Sequence, residues 1–397
     1  MHKAAQRNVT LQGIARRCRV AKSTVSLALR GDSRVDERTA ARIRRAAEKL
    51  GYNGSAHESA RRLALRKYGA RAVSKVIGFL CPAVSYSFPF YARMLQGLLE
   101  GLAPQGFNLV AGTFVRDASG EISVHTSLEH LIRREDLDGL IFYSDTQSFL
   151  PVLRHLRRDG GLADRPVLSL MFRSPGCCSV LVDEENGGLA AARHLLDEGH
   201  RQFVQFCTLD PANGQPLTPD RWRGVRRALV ERGLVPEKSL QVLQAPRPWV
   251  DPVAVPHAVG EISSALVTPD GSRLVEHLRA NPKVTAILAQ NDSSALHAWH
   301  TLYRAGIRVP EDISITGFDD TDPMVDEGGR NLLTTVRLPL AQVGQQAAKL
   351  IMCRVLGEAK RDQELTLPVQ FIPRASTARV KAVGHLERGV SGIGPRV

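Results

Sequence analysis

Apolar residues recur at helical spacing three times within the first fifty positions. Leu11, Ile14, Ala15 and Cys18 fall at i, i+3, i+4 and i+7, which predicts a first helix over 11–18 with Thr10 as its N-cap. A second helix is expected over 21–29, after Val20 as the plug of the turn. Val25, Ala28 and Leu29 are its inward residues; Lys22, Ser23, Ser26, Leu27 and Arg30 take the open side, and Gly31-Asp32 ends it. Ile43, Ala46, Ala47 and Leu50 form the inner stripe of a third helix over 36–50, with Gly51 at its C′ position. This layout is a helix-turn-helix, an arrangement whose second helix commonly enters the DNA major groove.

From Val76 the pattern changes to short apolar runs alternating with amphipathic stretches. Strands are expected at 76–80, 108–111, 139–142, 167–170, 203–206, 286–288 and 313–316. Such alternation predicts βαβ units, parallel sheets with helices on both faces. The expected class is α + α/β: a three-helix head followed by a core of parallel βαβ sheets. Two sheets of this kind hold a ligand between them, at the carboxyl ends of their strands.

Charge separates the two parts. Residues 1–70 carry 17 of the 53 Lys and Arg and 5 of the 40 Asp and Glu, a net +12 within a total of +13. The rest of the chain nets +1. A basic head on a near-neutral body is what counterion release from phosphates rewards. Apolar periodicity through the basic stretch argues against a disordered tail. The polar N-terminus has no apolar h-region behind it, and no run of about 18 or more apolar residues occurs. A cytoplasmic protein with reduced thiols is expected, and no membrane partner.

Other chemistry is thinly signalled. The six cysteines, at 18, 81, 177, 178, 207 and 353, lack metal-ligand spacing. The vicinal pair Cys177-Cys178 reads either as a redox switch or as plain strand or loop. His194 and His200 are six apart without a third ligand, so no metal site is expected; His200, after Gly199, is expected to place a cation at a helix C-terminus. Asp183-Glu184-Glu185 reads as a strand-to-helix junction with N-cap chemistry. With no G-x-G-x-x-G or P-loop, no cofactor is expected.

The head resembles the lactose-repressor (LacI/GalR) family of bacterial transcription regulators. The resemblance rests on Val9 to Ala15, on Val20 to Arg30 and on Leu50-Gly51-Tyr52 taken together. It implies that Lys22, Ser23 and Leu27 read bases, while Thr24, Ser26 and Arg30 touch phosphates. Several positions depart from the family: Ala21 replaces a capping Ser, which removes about 1 kcal/mol of N-cap stabilisation; Gly13 replaces an acidic residue; Leu27 stands where Arg is frequent; Arg30 replaces Asn; and Gly54 replaces the usual Pro. An Arg there binds guanine, whereas Leu makes only apolar contact, for example with a thymine methyl. The family's minor-groove hinge helix corresponds to Ala60-Arg61-Arg62-Leu63, with Leu63 as the wedge.

The resemblance continues from about 76 to 380, where the chain is similar to the family's two-lobed periplasmic-binding-protein-like core. Matching stretches include Asp138 to Ile141, Asp183 to Gly187, Leu195 to His200, Arg221 to Gly224, Asn291 to Leu296, Gly306 to Ser314, Gly317 to Asp320 and Leu333 to Val336. It implies an effector cleft with Arg221, Asn291 and Asp319 as polar ligands and Asn186 as a fourth. Phe88, Tyr91 and Trp249 are its stacking candidates. Hydroxyl groups both donate and accept, so an Asp/Arg/Asn set can satisfy them in pairs; a sugar or a nucleobase or nucleoside is the implied effector class. The implied organisation is a DNA-binding domain at 1–52, a linker and hinge at 53–75, a two-subdomain effector-binding and dimerisation core at 76–385, and a tail at 386–397. Its lobes are expected at 76–198 with 336–364, and at 199–335 with 365–385.

The expected activity is that of a ligand-responsive repressor, a homodimer on a near-palindromic operator, and not an enzyme. A cytoplasmic solute-binding module suits the body alone but leaves the head without a use. A doubly wound α/β enzyme needs a nucleophile elbow or cofactor loop, and the sequence holds neither.

Overall fold

The computed structural model describes residues 11–29, 34–50, 73–82, 89–116, 122–124, 126–133, 136–143, 146–157, 162, 165–174, 176–210, 213–245, 271–358 and 363–380. The chain divides into two compact units between Ser74 and Lys75.

The first unit holds α1 (Leu11–Cys18), α2 (Lys22–Leu29) and α3 (Glu37–Lys49). Ile14, Ala15 and Cys18 of α1, Val25 and Ala28 of α2, and Ala40, Ile43 and Ala47 of α3 form one small core. Burying a side chain the size of Ile or Val contributes roughly 1.5–3 kcal/mol, so three short helices cohere only because their stripes converge. Val20 packs against this core, as its place in the turn predicts. Asp36 begins α3: its Oδ1 accepts from the Thr39 amide at 2.9 Å.

The second unit is built on two sheets. Its strands are β1 (Val76–Pro82), β2 (Asn108–Arg116), β3 (Ile122–Val124), β4 (Gly139–Tyr143), β5 (Val167–Leu170), β6 (Cys178–Val182) and β7 (Phe203–Cys207). Further on are β8 (Leu240–Gln244), β9 (Ala286–Ala289), β10 (Ser314–Thr316), β11 (Thr335–Arg337), β12 (Glu364–Leu367) and β13 (Gln370–Ile372). The larger sheet runs β12-β6-β5-β4-β1-β2-β3 and the smaller β10-β9-β7-β8. Every pairing in them is parallel except β2 with β3. β11 and β13 pair antiparallel, on the segments that pass between the lobes.

All seven expected strands are present, and the expected parallel α/β class with them. The last passage between lobes differs from expectation. Glu364–Leu367 pairs with β6 inside the larger sheet, so the chain leaves that lobe after Leu367 and not at 364. The reason is β6 itself, whose buried backbone needs a partner on each side.

Strand order locates the functional region. β1 lies between β2 and β4, and β7 between β8 and β9. Connections diverge at such points, and a crevice opens outside the carboxyl ends of the strands. Tyr143 ends β4, and Gln290 to Asp292 follow β9 directly.

Cys178 opens β6 within one core cluster, while Cys177 packs against the other. Neither forms a disulfide. Cys177 stands at the bend before the strand and Cys178 begins it, which favours the plain strand or loop reading of the pair.

His200 overturns an expectation. It is not a helix-terminal cation but a buried ring, 2 % exposed. Nε2 lies 3.1 Å from the Ala378 carbonyl and Nδ1 2.8 Å from Thr285 Oγ1. A carbonyl only accepts, so Nε2 carries the proton and Nδ1 accepts from the hydroxyl. Burial pushes its pKa down to about 4. Between that value and the ordinary 6.5 the unfolded chain takes the proton first, so stability is full above pH 6.5 and falls as pH drops toward 4. The loss reaches about 3 kcal/mol. Urea denaturation across pH 7 to 4 measures it, and His200→Gln should flatten the profile; an unchanged slope would show that other groups cause it.

Candidate ligand-binding cleft

Two helices bring the polar residues of the cleft together. The helix Glu184–Asp197 follows β6 directly, with Asp183 as N-cap accepting from the Asn186 amide at 3.1 Å. The helix Pro219–Glu231 crosses it where Gly188 meets the Arg221 carbonyl and Gly224 meets the Glu185 carbonyl, closer than any Cβ allows. This contact sets the first turns of the two helices side by side.

Arg221 results from that crossing. Its side chain is only 6 % exposed. Nη2 donates to Glu184 Oε1 at 3.0 Å, Nη1 donates to the Gln290 carbonyl, and Nε is buried without a hydrogen-bond partner. The guanidinium carbon lies 3.4 Å from the centre of the Phe318 ring, a cation–π stack out of water. Gly187 leaves room for that ring: a Cβ there would meet Phe318 Cζ at 2.6 Å.

Asp319 follows Phe318 with φ of 106°, a backbone region costly for a side-chain-bearing residue and one that gathers at functional sites. Its amide donates to the Val336 carbonyl at 2.8 Å, anchoring it to β11. Burial holds its carboxyl well above the usual range. Arg221 opposes this, while Asp292, Glu184 and Asp322 add to it. Asp320, also at positive φ, accepts from Arg337 Nε at 2.6 Å and from Arg374 Nη2 at 2.8 Å. It thereby ties together the two segments that join the lobes.

Aromatic rings form a wall on the other lobe. Tyr143 contacts Tyr91 edge-on at 4.9 Å between ring centres, with Phe90 at 5.9 Å and Phe172 at 5.8 Å. Its phenol is pushed well above 10 by burial, then by Tyr91, Asp319 and Glu184. Tyr143 therefore stands within electrostatic reach of both carboxylates. Next to this region, Phe172, Glu184, Leu217, Thr218 and Arg223 line part of a cavity of about 310 Å³, the lower end of the size range for small-molecule sites.

Of the residues expected in the cleft, Arg221, Asp319 and Tyr91 share this neighbourhood. Asn291 lies beside it, its Oδ1 accepting from the Ser294 amide at 2.9 Å as N-cap of the helix Asp292–Arg304. That cap uses the amide oxygen and not Nδ2. Asn186 is exposed, and its amide donates to Asp183 Oδ2 at 2.5 Å. Phe88 and Trp249 lie outside the described residues. Glu184, Tyr143, Phe172 and Phe318 were not expected as site residues. Glu184 stands where an acid already suits a helix N-terminus, which hides its second role. Its partner Arg221 is 37 residues away.

In the head, Lys22 and Ser23 are exposed at the start of α2, and Thr24, Ser26 and Leu27 are half-buried. Arg16 and Arg17 of α1 are exposed as well. Ala21 offers no side-chain acceptor to the first turn of α2, whose amides stay open to an anion such as a phosphate. Thr10, Arg30, Ala60, Arg61 and Leu63 lie outside the described residues.

Residues 10–55 match the family described as bacterial regulatory proteins, lacI family. Residues 74–247 match the periplasmic binding proteins and sugar binding domain of the LacI family, and residues 192–377 a periplasmic binding protein-like domain. The HTH-type transcriptional regulator GntR of Pseudomonas aeruginosa is 28 % identical over 93 % of this chain and 95 % of its own length. A LacI family transcriptional regulator from Enterococcus faecalis, solved with bound ribose, is 28 % identical with a TM-score of 0.58; the match covers 77 % of this chain and all of that one. The lac repressor dimer bound to operator shares the fold at 20 % identity, with a TM-score of 0.63 over 94 % of this chain and all of that one. Among the described residues no helix is long and apolar enough to cross a membrane.

Proposed function

Because the chain belongs to the lacI family of bacterial regulatory proteins, and is a DNA-binding transcriptional regulator, we propose that it is a ligand-responsive repressor. Two copies act together in the cytoplasm, each placing α2 in one half of a near-palindromic operator. A small effector of the sugar or nucleobase and nucleoside class occupies the cleft, working by binding alone. The ribose held by the Enterococcus faecalis protein supports the sugar side of that class. Effector and operator alter each other's affinity by one common factor, as linkage requires.

The observation that carries this reading is the cleft itself. Arg221, Glu184 and Asp319 meet beside aromatic rings at the strand ends, within a chain whose other unit is a basic helix-turn-helix. Selection from a pool of randomised duplexes tests the DNA half of the proposal. The expected product is a two-fold symmetric consensus with half-sites one helical turn, or a multiple of it, apart. Recovery of no consensus, or of a single half-site, would remove the dimeric reading.

The same selection probes Leu27. Leu27→Arg should move one position of each half-site toward guanine, with discrimination of about 1–3 kcal/mol against other bases. An unchanged consensus would exclude Leu27 from base reading.

A further inference from the structure

We propose, on the reading that this cleft holds the effector and governs the head, that Arg93 is its positioning residue. Arg93 clasps the loop 319–322 from the opposite lobe, and through that loop it sets the affinity for operator DNA.

Arg93 stands on a fixed base. Its helix, Pro89–Leu102, comes after β1 and buries Met94, Leu98 and Leu102 in the larger-sheet lobe. Gly97 meets the Ala341 backbone and Gly344 meets the Met94 carbonyl, so this helix cannot slide along Leu340–Val355. Phe90 and Tyr91, from the same first turn, belong to the aromatic wall. Arg93 itself is exposed, and its Nη1 donates to the Asp320 carbonyl at 2.9 Å. That carbonyl lies 227 residues further along the chain and outside the larger-sheet lobe.

The loop it grasps is held on its other side by the smaller-sheet lobe and the segments that join the lobes. Asp319 and Asp320 take consecutive left-handed conformations, with φ of 106° and 57°. Such residues persist where the surroundings over-determine them. The Asp319 amide donates to the Val336 carbonyl at 2.8 Å, and the Asp320 carboxylate holds Arg337 and Arg374. The Thr321 amide donates to Asp292 Oδ2 at 2.8 Å. Arg93 adds a bond from the larger-sheet lobe. It acts on Asp322 as well, whose Oδ2 accepts from the Thr321 hydroxyl at 2.9 Å: burial raises that carboxyl and Arg93 works against the rise. Arg173 also reaches out of the larger-sheet lobe, to Asp220 at 3.4 Å, but its nearer partner Glu364, at 3.1 Å, stands on its own sheet.

The clasped loop leads straight into the cleft. Phe318, which stacks on Arg221, precedes it, and Asp319 begins it. A bond from Arg93 to Asp320 therefore fixes how far these groups stand from Tyr91 and Tyr143 on the aromatic wall. The bond is charge-assisted but open to solvent, so its worth is only a few-fold in an equilibrium constant. That is weak enough to break and re-form, and strong enough to bias one setting of the lobes over another. Where operator and cleft ligand share those settings, a bias on the lobes is also a bias on DNA affinity.

Two variants of the full chain test the proposal. Arg93→Met keeps the apolar stem and removes the charge and the donors; Arg93→Lys keeps a charge and a donor. The amides of Gly317, Asp319 and Thr321 are all hydrogen-bonded, so amide exchange read by mass spectrometry reports on the loop. In Arg93→Met, exchange over 317–323 should rise about threefold or more, with peptides from Pro89–Leu102 and Glu184–Asp197 unchanged. In the same variant the Kd for the duplex recovered by randomised selection should shift about threefold or more, although residue 93 lies outside the head. Arg93→Lys should return both readings at least halfway to wild type. Unchanged exchange over 317–323, faster exchange without a shift in Kd, or Arg93→Lys no better than Arg93→Met overturns the proposal. So does a fall in Tm with every peptide exchanging faster together, the mark of a merely structural role. If the selection recovers no duplex, the regulator reading falls separately, while exchange over 317–323 still decides whether Arg93 holds the loop.

Discussion

Replacing Arg221 by alanine is expected to destabilise the effector-binding unit by about 3–5 kcal/mol, the usual consequence of breaking a buried ion pair from one side. Glu184, 17 % exposed on its side chain, loses its only described cation and must stay charged without a partner or take up a proton. The Gln290 carbonyl loses a donor, and the Phe318 ring loses the guanidinium stacked upon it. The loss should shrink when Glu184 is removed too, because Arg221→Ala with Glu184→Ala leaves no orphaned charge. Urea denaturation followed by Trp222, a buried neighbour of Arg221, measures both variants. Equal losses in the single and double variants would show that Arg221 acts by packing and not by pairing.

Gly224→Val is expected to have an effect at least as large. A Cβ at 224 would sit against the Glu185 carbonyl and 2.7 Å from the Leu189 amide, both backbone atoms that no rotamer change can move aside. The helices must separate, which costs more than the roughly 1–3 kcal/mol of ordinary overpacking. Separation also draws Arg221 away from Glu184, so stability and ligand affinity should fall together. A second crossing repeats the device, where Gly97 and Gly344 bring the helices Pro89–Leu102 and Leu340–Val355 into backbone contact. A Gly224→Val protein that lost less than about 1 kcal/mol would show that the crossing can relax, and that the close approach does not position Arg221.

The elements legible in the sequence are those whose period is local. The stripe Ile14, Val25, Ile43 could be read because each helix carries its own 3.6-residue repeat. Six of the seven expected strands are apolar runs buried on both faces, as central parallel strands are; the run 108–111 is exposed or half-buried and was legible by its apolar pair Leu109-Val110. Strands that were not anticipated depend on distant partners. β12 alternates between exposed and half-buried positions and is a strand only because β6 lies beside it. β11 and β13, three residues each, are defined by pairing across the lobes. In the cleft, Arg221 and Asp319 were reached through resemblance. Glu184 and Tyr143 were not, because their roles come from Arg221 and Asp319 across long stretches of chain. His200 differs in part for the same reason: its amide closes the helix after Gly199 as expected, while Thr285 and Ala378 make its ring buried and neutral and not a cation.

The central claim is that a basic three-helix head reads DNA selectively under the control of a cleft. A titration of the full chain against the duplex upstream of its own gene, at about 0.15 M salt with unlabelled random duplex in excess, tests it most directly. Phosphate attraction alone gives Kd values of about 10⁻⁴–10⁻⁶ M at physiological salt, while specific binding is typically 10³–10⁷ tighter. The account predicts a nanomolar shift that random duplex does not displace and that a cleft ligand changes. A micromolar shift displaced equally by random duplex would contradict it.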